Sequence, residues 1–241
     1  MPTTTKRTTL PETTTKLPTT TTKVPTPENS FSKVFCRFYY DEDNLYTCEL
    51  SNIQFRTDKD TFTISGTHNI GRKDKDVAKV VFINSELLKI PTILFDTFKN
   101  LSYLDINYVG LKAIDKNTFE SCGKLKSLNA RGNNIKLITE DSLQNCTKLT
   151  HIDLSDNRIQ KLPSRVFSFN TKLTTIIINN NVITSIEPCN NVLQQLKNLK
   201  YLGLNSNMCV DKLFNDENLH LNFDRLVMKN LKNCFSLWFM N

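Results

Sequence analysis

The sequence predicts an α/β solenoid, in which each coil of the chain contributes one short strand to a concave parallel β-sheet. Three observations predict it. Apolar residues recur with a period of 24 residues through the middle of the chain. An asparagine recurs at one position of that period, and a pair of cysteines flanks the repeats on each side. The chain has 241 residues, of which 39% are hydrophobic, and this is enough for an extended core.

The N-terminal segment, residues 1–30, is rich in Thr and Pro and contains few residues that could be buried. Such a segment cannot offset the entropy of ordering its backbone, so we expect an extended, disordered arm. Thr beside Pro is typical of an O-glycosylated stalk, and an unmodified flexible leader fits the composition equally well. No apolar stretch follows Met1, so a secretory signal is not visible.

A cap is expected before the repeats, over residues 31–76, because an uncapped solenoid exposes its core. Cys36 and Cys48 lie close together in this cap, and we predict a disulfide between them. The segment 62–77 follows that pair. It is expected to add strands to the edge of the sheet, where it would hide unpaired backbone groups.

Six coils are predicted over residues 77–208. Their first positions are Val77, Leu101, Leu125, Leu149, Leu173 and Leu199. Alternate side chains of a strand point to opposite faces, so Ile152 and Leu154 are expected inside, with His151 and Asp153 outside. Equivalent strands would pair in parallel at about 4.8 Å.

Two further columns of residues are expected inside the coils. The first column is the recurring asparagine, which lies where the chain leaves the strand. Its buried side-chain amide can hydrogen-bond backbone groups of its own coil and of the neighbouring coil. These asparagines are Asn133, Asn157, Asn181 and Asn207. Ser85 and Val109 replace them in the first two coils, where looser turns are expected. The convex side would be filled by Phe95, Phe119, Leu143, Phe167 and Leu193.

A second cap is expected over residues 209–241. We predict a disulfide between Cys209 and Cys234, which bracket most of this segment. Between them, apolar residues recur at helical spacing and predict one short helix over the last coil. These residues are Leu219, Phe223, Leu226, Val227 and Leu231.

The repeated pattern L-x-x-L-x-L-x-x-N-x-L resembles that of the extracellular leucine-rich repeat family over about residues 77–208. The flanking stretches YTCEL, SGTHNIGRKDKDV and NSNMCVDKLF resemble those of small secreted leucine-rich repeat proteins of dipteran insects. This resemblance implies a right-handed superhelix. It also implies secretion and, from some relatives, a role in innate immunity.

The outward-facing side chains of the strands form a concave surface that mixes aromatic, small and hydrogen-bonding groups. Such a composition is common in protein interfaces, so we predict an extracellular protein partner here. The alternative is a solvated face without a ligand. The predicted contact residues are Tyr103, Asp105, Asn107, Asn129, Arg131, His151, Asp153, Ser155, Thr175, Ile177, Asn179, Tyr201 and Asn205.

Lys124, Lys148 and Lys172 form a column immediately before the strands, in a chain of net charge +7. A solvated edge explains this column in the simplest way. The functional alternative is a matrix or adhesion protein that binds an anionic glycan through the lysines. Nucleic acid is not expected, because no aromatic residues for base stacking interleave with the column.

Three more cysteines and two glycosylation motifs lie within the repeats. Cys122 and Cys146 occupy the same inward position one coil apart, and we favour two buried free thiols over a disulfide. Cys189 remains as an odd thiol, either unpaired or linked to another chain. Asn100 and Asn145 begin N-x-Ser/Thr motifs, so N-glycans are expected at both if the protein is secreted.

No catalytic, cofactor or metal site is expected. His151, Asp153 and Ser155 lie at alternate positions of one flat strand, where the histidine is not between the serine and the aspartate and no oxyanion site is nearby. His68 and His220 lie in other regions, so no metal-ligand cluster is apparent. No apolar run is long enough to span a membrane.

Overall fold

The computed structural model describes residues 31–56, 61–114, 116–186, 193, 195–215, 229 and 231–234. The predictions for the arm at 1–30, for Cys189 and for most of the C-terminal helix fall outside the described residues. Within these ranges, no helix is both long and apolar enough to cross a bilayer.

Short strands dominate the described chain. In order they are β1 (Phe31–Tyr40), β2 (Tyr46–Ser51), β3 (Gln54–Phe55), β4 (Thr61–Ser65), β5 (Lys79–Ile83), β6 (Glu86–Leu87), β7 (Tyr103–Asp105), β8 (Ala113–Ile114), β9 (Ser127–Asn129), β10 (Leu137–Ile138), β11 (His151–Asp153), β12 (Lys161–Leu162), β13 (Thr175–Ile177), β14 (Ser185–Ile186), β15 (Tyr201–Gly203) and β16 (Leu213–Phe214). The other elements with described bounds are the α-helix α1 (Ile93–Thr97) and the 3-10 turns at Asp74–Asp76, Lys116–Phe119 and Lys232–Cys234. Lys229 and Leu231, near the C-terminal end, are also helical.

Ten of the described strands form one sheet, in the order β16-β15-β13-β11-β9-β7-β5-β2-β1-β4. From β2 and β5 to β15 the neighbours pair in parallel and in register, so equivalent residues of successive coils lie side by side. Ile152 and Leu154 are fully buried, while His151 and Asp153 on the same stretch are half-exposed. The predicted solenoid with a concave parallel sheet is confirmed.

The asparagine column closes each coil with hydrogen bonds. Asn157 donates from Nδ2 to the carbonyls of Leu154, 3.1 Å away, and of Ala130 in the previous coil, 3.0 Å away. Its Oδ1 accepts from the N–H of Ile135, also in the previous coil, at 3.0 Å. Asn133, Asn181 and Asn207 repeat this arrangement. The expected role of the buried amides is confirmed.

The expectation of looser turns in the first two coils stays a prediction, but the backbone at both turns is hydrogen-bonded. The Ser85 hydroxyl accepts from the N–H of Ile53 at 3.0 Å and donates to the carbonyl of Ile83 at 2.9 Å. In this coil a hydroxyl therefore bonds backbone groups that an asparagine amide bonds in later coils. The backbone around Val109 is held from the next coil, because Asn133 Oδ1 accepts its N–H at 3.1 Å.

The residue before each of these positions adopts a positive φ, which the sequence pattern did not reveal. The row in the repeats consists of Asn84, Tyr108, Gly132, Asp156, Asn180 and Ser206, with φ between 48° and 70°. Asn, Asp and Gly tolerate this left-handed conformation, whereas a tyrosine rarely adopts it. Tyr108 is nevertheless placed there, 66% exposed, with its ring against the backbone of Gly132.

The convex side holds the predicted column of large apolar residues. Short strand pairs β3-β6, β8-β10 and β12-β14 lie on this side, with α1 and the 3-10 turn at Lys116–Phe119. The Phe95 and Phe119 rings of adjacent coils meet edge to face, with centroids 6.1 Å apart. Phe95, Phe119, Leu143, Phe167 and Leu193 are all buried, as expected.

The N-terminal cap extends the sheet. Strand β1 pairs antiparallel with β2 and parallel with β4. Of the segment 62–77 expected at the sheet edge, only the first four residues, which lie in β4, form a strand. Strand β2 already runs parallel to β5, so the sheet begins before the first predicted coil. The predicted bounds of the caps stay predictions. Phe55 and Phe62 pack edge to face at 5.1 Å beneath this end.

Three disulfides link the described cysteines. The two predicted cap disulfides, Cys36–Cys48 and Cys209–Cys234, are confirmed, with Cα atoms 5.4 Å and 5.0 Å apart. The preference for free thiols at Cys122 and Cys146 is wrong, since these cysteines also form a disulfide. In-register stacking brings their Cα atoms to 4.9 Å, which lies within bridging range. At the C-terminal end, β16 pairs antiparallel with β15 and Leu231 is buried.

Candidate functional site

The concave face consists of three columns of side chains, which the strand register defines. The first column is Tyr103, Ser127, His151, Thr175 and Tyr201. The second is Asp105, Asn129, Asp153, Ile177 and Gly203. The third follows the ends of the strands and contains Asn107, Arg131, Ser155, Asn179 and Asn205. The structure places the predicted residues in these columns, but the prediction of Ser155 as a contact residue is wrong, because Ser155 is buried and its hydroxyl bonds Asp153.

The first column has free side chains. In the described structure, none of its five side chains hydrogen-bonds to another protein group, and all five are half-exposed. Ile177 in the second column is half-exposed as well and packs beside this column on the same strand as Thr175. These side chains keep their hydrogen-bonding capacity and apolar surface available at the concave face.

The polar groups of the other two columns are largely used within the fold. Asn107 Oδ1 accepts the N–H of Arg131 at 3.0 Å, and Asn179 Oδ1 accepts the N–H of Asn205 at 2.9 Å. The amide of Asn179 lies over Gly203, where an added Cβ would come within 2.8 Å of its Oδ1. These side chains tie the ends of neighbouring strands together, so they contribute to rigidity before they can contribute to recognition.

Burial changes the acidity of two groups on this face. Burial raises the pKa of the Asp105 carboxyl; the N–H of Asn107, at 3.1 Å, and the charge of Lys79 oppose this shift, and the charge of Asp153 adds to it. Burial also lowers the pKa of His151, against the attraction of Asp153. His151 therefore favours the neutral form on the folded protein.

The serine, histidine and aspartate of β11 and the following residue do not form a catalytic triad. The Ser155 hydroxyl donates to Asp153 Oδ1, and the N–H of Ser155 donates to the same oxygen at 2.8 Å. Ser155 is only 5% exposed, and His151 bonds neither partner. A triad requires the histidine between the two other groups. Among the described residues, no cluster of His, Cys, Asp and Glu could hold a metal ion.

Comparison with known proteins agrees with this architecture. The family described as "BspA type leucine rich repeat region" matches residues 74–219 in six copies, which is more than half of the chain. The chain belongs to the leucine-rich repeat family. No curated protein sequence matches it.

Solved leucine-rich repeat structures share the fold. The LRIM1/APL1C complex matches with a TM-score of 0.62 and 24% identity over 77% of this chain and 33% of that one. The leucine-rich repeat domain of APL1 matches with a TM-score of 0.57 and 24% identity over 73% and 43%. The Drosophila Toll–Spatzle complex matches with a TM-score of 0.50 and 19% identity over 67% and 23%. The chain thus spans less than half the length of each of these proteins.

The leucine-rich repeats also position the lysine column and the glycosylation motifs. Lys124, Lys148 and Lys172 are exposed on the lateral edge that precedes the strands. Asn100 and Asn145 are exposed on the same side; the amide of Asn100 donates to the carbonyl of Lys75 at 2.8 Å, and its Oδ1 accepts from Lys124 Nζ at 3.0 Å.

Sequence reasoning missed the part of the concave face that the N-terminal cap contributes. In β5, Lys79 occupies the first column and pairs with Asp41 of the cap at 2.8 Å. In β2, Glu49 occupies the second column and pairs with Arg37 at 2.6 Å. The alternation in KVVFI was a usable signal for β5. Nothing in YTCELS shows that it pairs in parallel with that strand.

Proposed function

We propose that this chain is a secreted protein-binding module that recognises a partner protein through its concave face, in insect innate immunity. The free first column, from Tyr103 to Tyr201, is the observation that carries the proposal. Tyrosine is enriched among the residues that dominate binding energy, and this column has one at each end.

The rigidity of the sheet supports binding at this face. The backbone of a sheet that is hydrogen-bonded across coils loses little further freedom on binding, so less of the interaction energy is lost to ordering. Thr175, the fourth residue of the column, is followed two residues later by Ile177, which offers apolar surface between polar neighbours. Such a mixture of an apolar centre with polar surroundings is typical of protein interfaces.

Chemistry supports the extracellular location. Three disulfides connect the described cysteines, and disulfides form and persist mainly in oxidising compartments. The assignment to insect immunity is supported by the resemblance of the flanking sequences to secreted dipteran proteins.

A substitution within the first column tests the binding site. The tagged chain is incubated with insect haemolymph, and captured proteins are identified by mass spectrometry and measured for affinity. Thr175→Arg should lower the affinity for the captured partner at least tenfold, because a long charged side chain would block the column. Thr184→Arg is the matched control, since Thr184 is exposed in the same coil outside the concave face. Equal affinity of the two variants would contradict the proposal.

The immune role has its own test. Depletion of the protein from a living insect should slow the clearance of injected bacteria, and return of the wild-type chain should restore it. Return of Thr175→Arg should not restore clearance, whereas Thr184→Arg should. Unchanged clearance after depletion would remove the immune assignment and leave the binding site to its own test.

A further inference from the structure

We propose that the lateral edge of the solenoid binds a linear sulfated polysaccharide through a strip of lysines, here named the lysine edge. It consists of Lys124, Lys126, Lys148, Lys172 and Lys197, all of which are exposed. This surface precedes the strands and is separate from the concave columns. The inference therefore does not rest on the proposed protein-binding function.

The fold lines these lysines up from coil to coil. Backbone hydrogen bonds connect the equivalent positions at this edge, from Lys126 N to Ser102 O at 2.8 Å and from Thr150 N to Lys126 O at 2.8 Å. Lys124, Lys148 and Lys172 occupy one position of three successive coils, and adjacent coils lie about 4.8 Å apart. Lys124 Nζ reaches Asn100 Oδ1, which is the same position one coil earlier. The column is thus a row of ammonium groups perpendicular to the strands.

The charge of this edge is not balanced within the fold. Of the described lysines, Lys126, Lys148, Lys172 and Lys197 make no ion pair. The exposed acid closest in sequence to the column is Glu120, which makes no ion pair with it either. Like charges in a row repel each other, and a partner with repeated negative charges would relieve this repulsion.

The side-chain composition of the lysine edge favours a sulfated polysaccharide over other anions. Protein interfaces are depleted in lysine and rich in aromatic residues at their centre, which is the opposite of this edge. Single-stranded nucleic acid requires aromatic platforms for successive bases, and only Phe169 among the described exposed aromatics lies in this part of a coil. Flexible ammonium groups in a row suit a linear chain with repeated sulfates, which needs point charges and little apolar contact.

Heparin is the probe for this proposal. It is applied to the full chain secreted from insect cells and to two triple variants of it. Lys124→Gln/Lys148→Gln/Lys172→Gln removes three charges from the edge and leaves both glycosylation motifs intact. Lys112→Gln/Lys136→Gln/Lys161→Gln is the matched control, because it removes three exposed lysines without ion pairs from elsewhere on the coils. Affinity is measured between 0.05 and 0.3 M NaCl, roughly the range in which counterion release is resolved.

The edge variant should bind heparin on the order of tenfold to a hundredfold more weakly. The slope of log affinity against log salt concentration should become shallower by roughly one for each lysine removed. The control should stay within about threefold of wild type, since its lysines follow the concave strands and lie outside the lysine edge. Equal losses in both variants would overturn the proposal. So would edge-dependent binding that is tighter for a single-stranded oligonucleotide or for phosphatidylserine vesicles than for heparin.

Discussion

At the scale of the residue, the buried asparagines show how one side chain stabilises two coils. Asn157 satisfies backbone groups in its own coil and in the preceding one, and it is only 7% exposed. An apolar side chain would leave those groups buried and unpaired, which costs more than the net value of the bonds themselves.

Asn157→Ala should therefore lower the free energy of unfolding by about 2–4 kcal/mol. Asn117→Ala is the control, because Asn117 is exposed on the convex side, and it should stay within about 0.5 kcal/mol of wild type. Urea denaturation followed by circular dichroism measures both. If Asn157→Ala lowered the free energy of unfolding no more than the control does, the hydrogen bonds of the Asn157 amide would not stabilise the coils.

His151 makes stability depend on pH near neutrality. Burial lowers its pKa below the ordinary value of 6.5, so the unfolded chain binds more protons in the window just below pH 6.5. The contribution of His151 to the free energy of unfolding is fully present above pH 6.5 and is lost as the pH falls through the lowered pKa of the folded protein. His151→Gln should lose less stability than wild type between pH 7.5 and pH 5.5, roughly the two sides of the window, in urea denaturation. An identical loss in both proteins would contradict this prediction.

At the scale of the element, the turn after each strand depends on a row of left-handed residues. Tyr108 has φ +54° and its ring lies over Gly132, which has φ +70°. A Cβ on Gly132 would come within 2.1 Å of Tyr108 Cε1. Two neighbouring turns are therefore coupled, through the ring of one and the missing side chain of the other.

A double-mutant cycle tests this coupling. Gly132→Ala should lower the free energy of unfolding by about 1–3 kcal/mol, from the left-handed backbone and the ring contact together. In a Tyr108→Asn background the loss should be smaller by about 1 kcal/mol, because the ring is absent and asparagine tolerates this conformation. Additive effects of the two substitutions would show that the turns are independent.

The central disulfide staples two coils. Cys122 and Cys146 are 24 residues apart in sequence and fully buried. Cys122→Ala/Cys146→Ala should lower the free energy of unfolding by about 3 kcal/mol, because the unfolded chain gains conformational entropy when a closed loop of this size is opened. Denaturation without reductant gives the value. Alkylation of both cysteines in the denatured, unreduced wild-type protein would instead show that the bond is absent.

At the scale of the whole molecule, the coil geometry separates two surfaces, a concave face with free polar and aromatic groups and a basic lateral edge. The glycosylation motifs lie on the side of that edge. Each asparagine amide carries two hydrogens, and Asn145 uses one for the carbonyl of Glu120 at 2.9 Å. An exposed amide with one hydrogen bond still has a position for a sugar.

Secretion from insect cells should therefore yield two N-glycans. Ser102→Ala and Thr147→Ala should each remove one, as a mass shift in the intact protein. Asn198 is the internal control, because it is exposed and bonds the carbonyl of Thr171 at 2.9 Å but lacks the Ser/Thr at the second following position. A full-length protein without sugar at Asn100 and Asn145 would contradict the prediction.

Much of this fold could be predicted from residue spacing alone. The inward direction of Ile152 and Leu154, the convex phenylalanines and the asparagine column follow from one pattern of apolar residues that recurs in six coils. The concave columns follow as well, because side chains alternate across a strand. The disulfide between Cys122 and Cys146 could not be predicted from the spacing, since a buried free cysteine and a disulfide-bonded cysteine occupy the same kind of position in a sequence.

The solenoid, its caps and the residues on each face can be predicted from the sequence, because every coil repeats the same local preference. Which polar side chains on the concave face are free and which bond the next coil depends on how the coils pack in three dimensions. The tertiary structure alone placed Tyr108 over Gly132 and joined β2 to the sheet. These features depend on distances between coils, which a period along the chain does not contain.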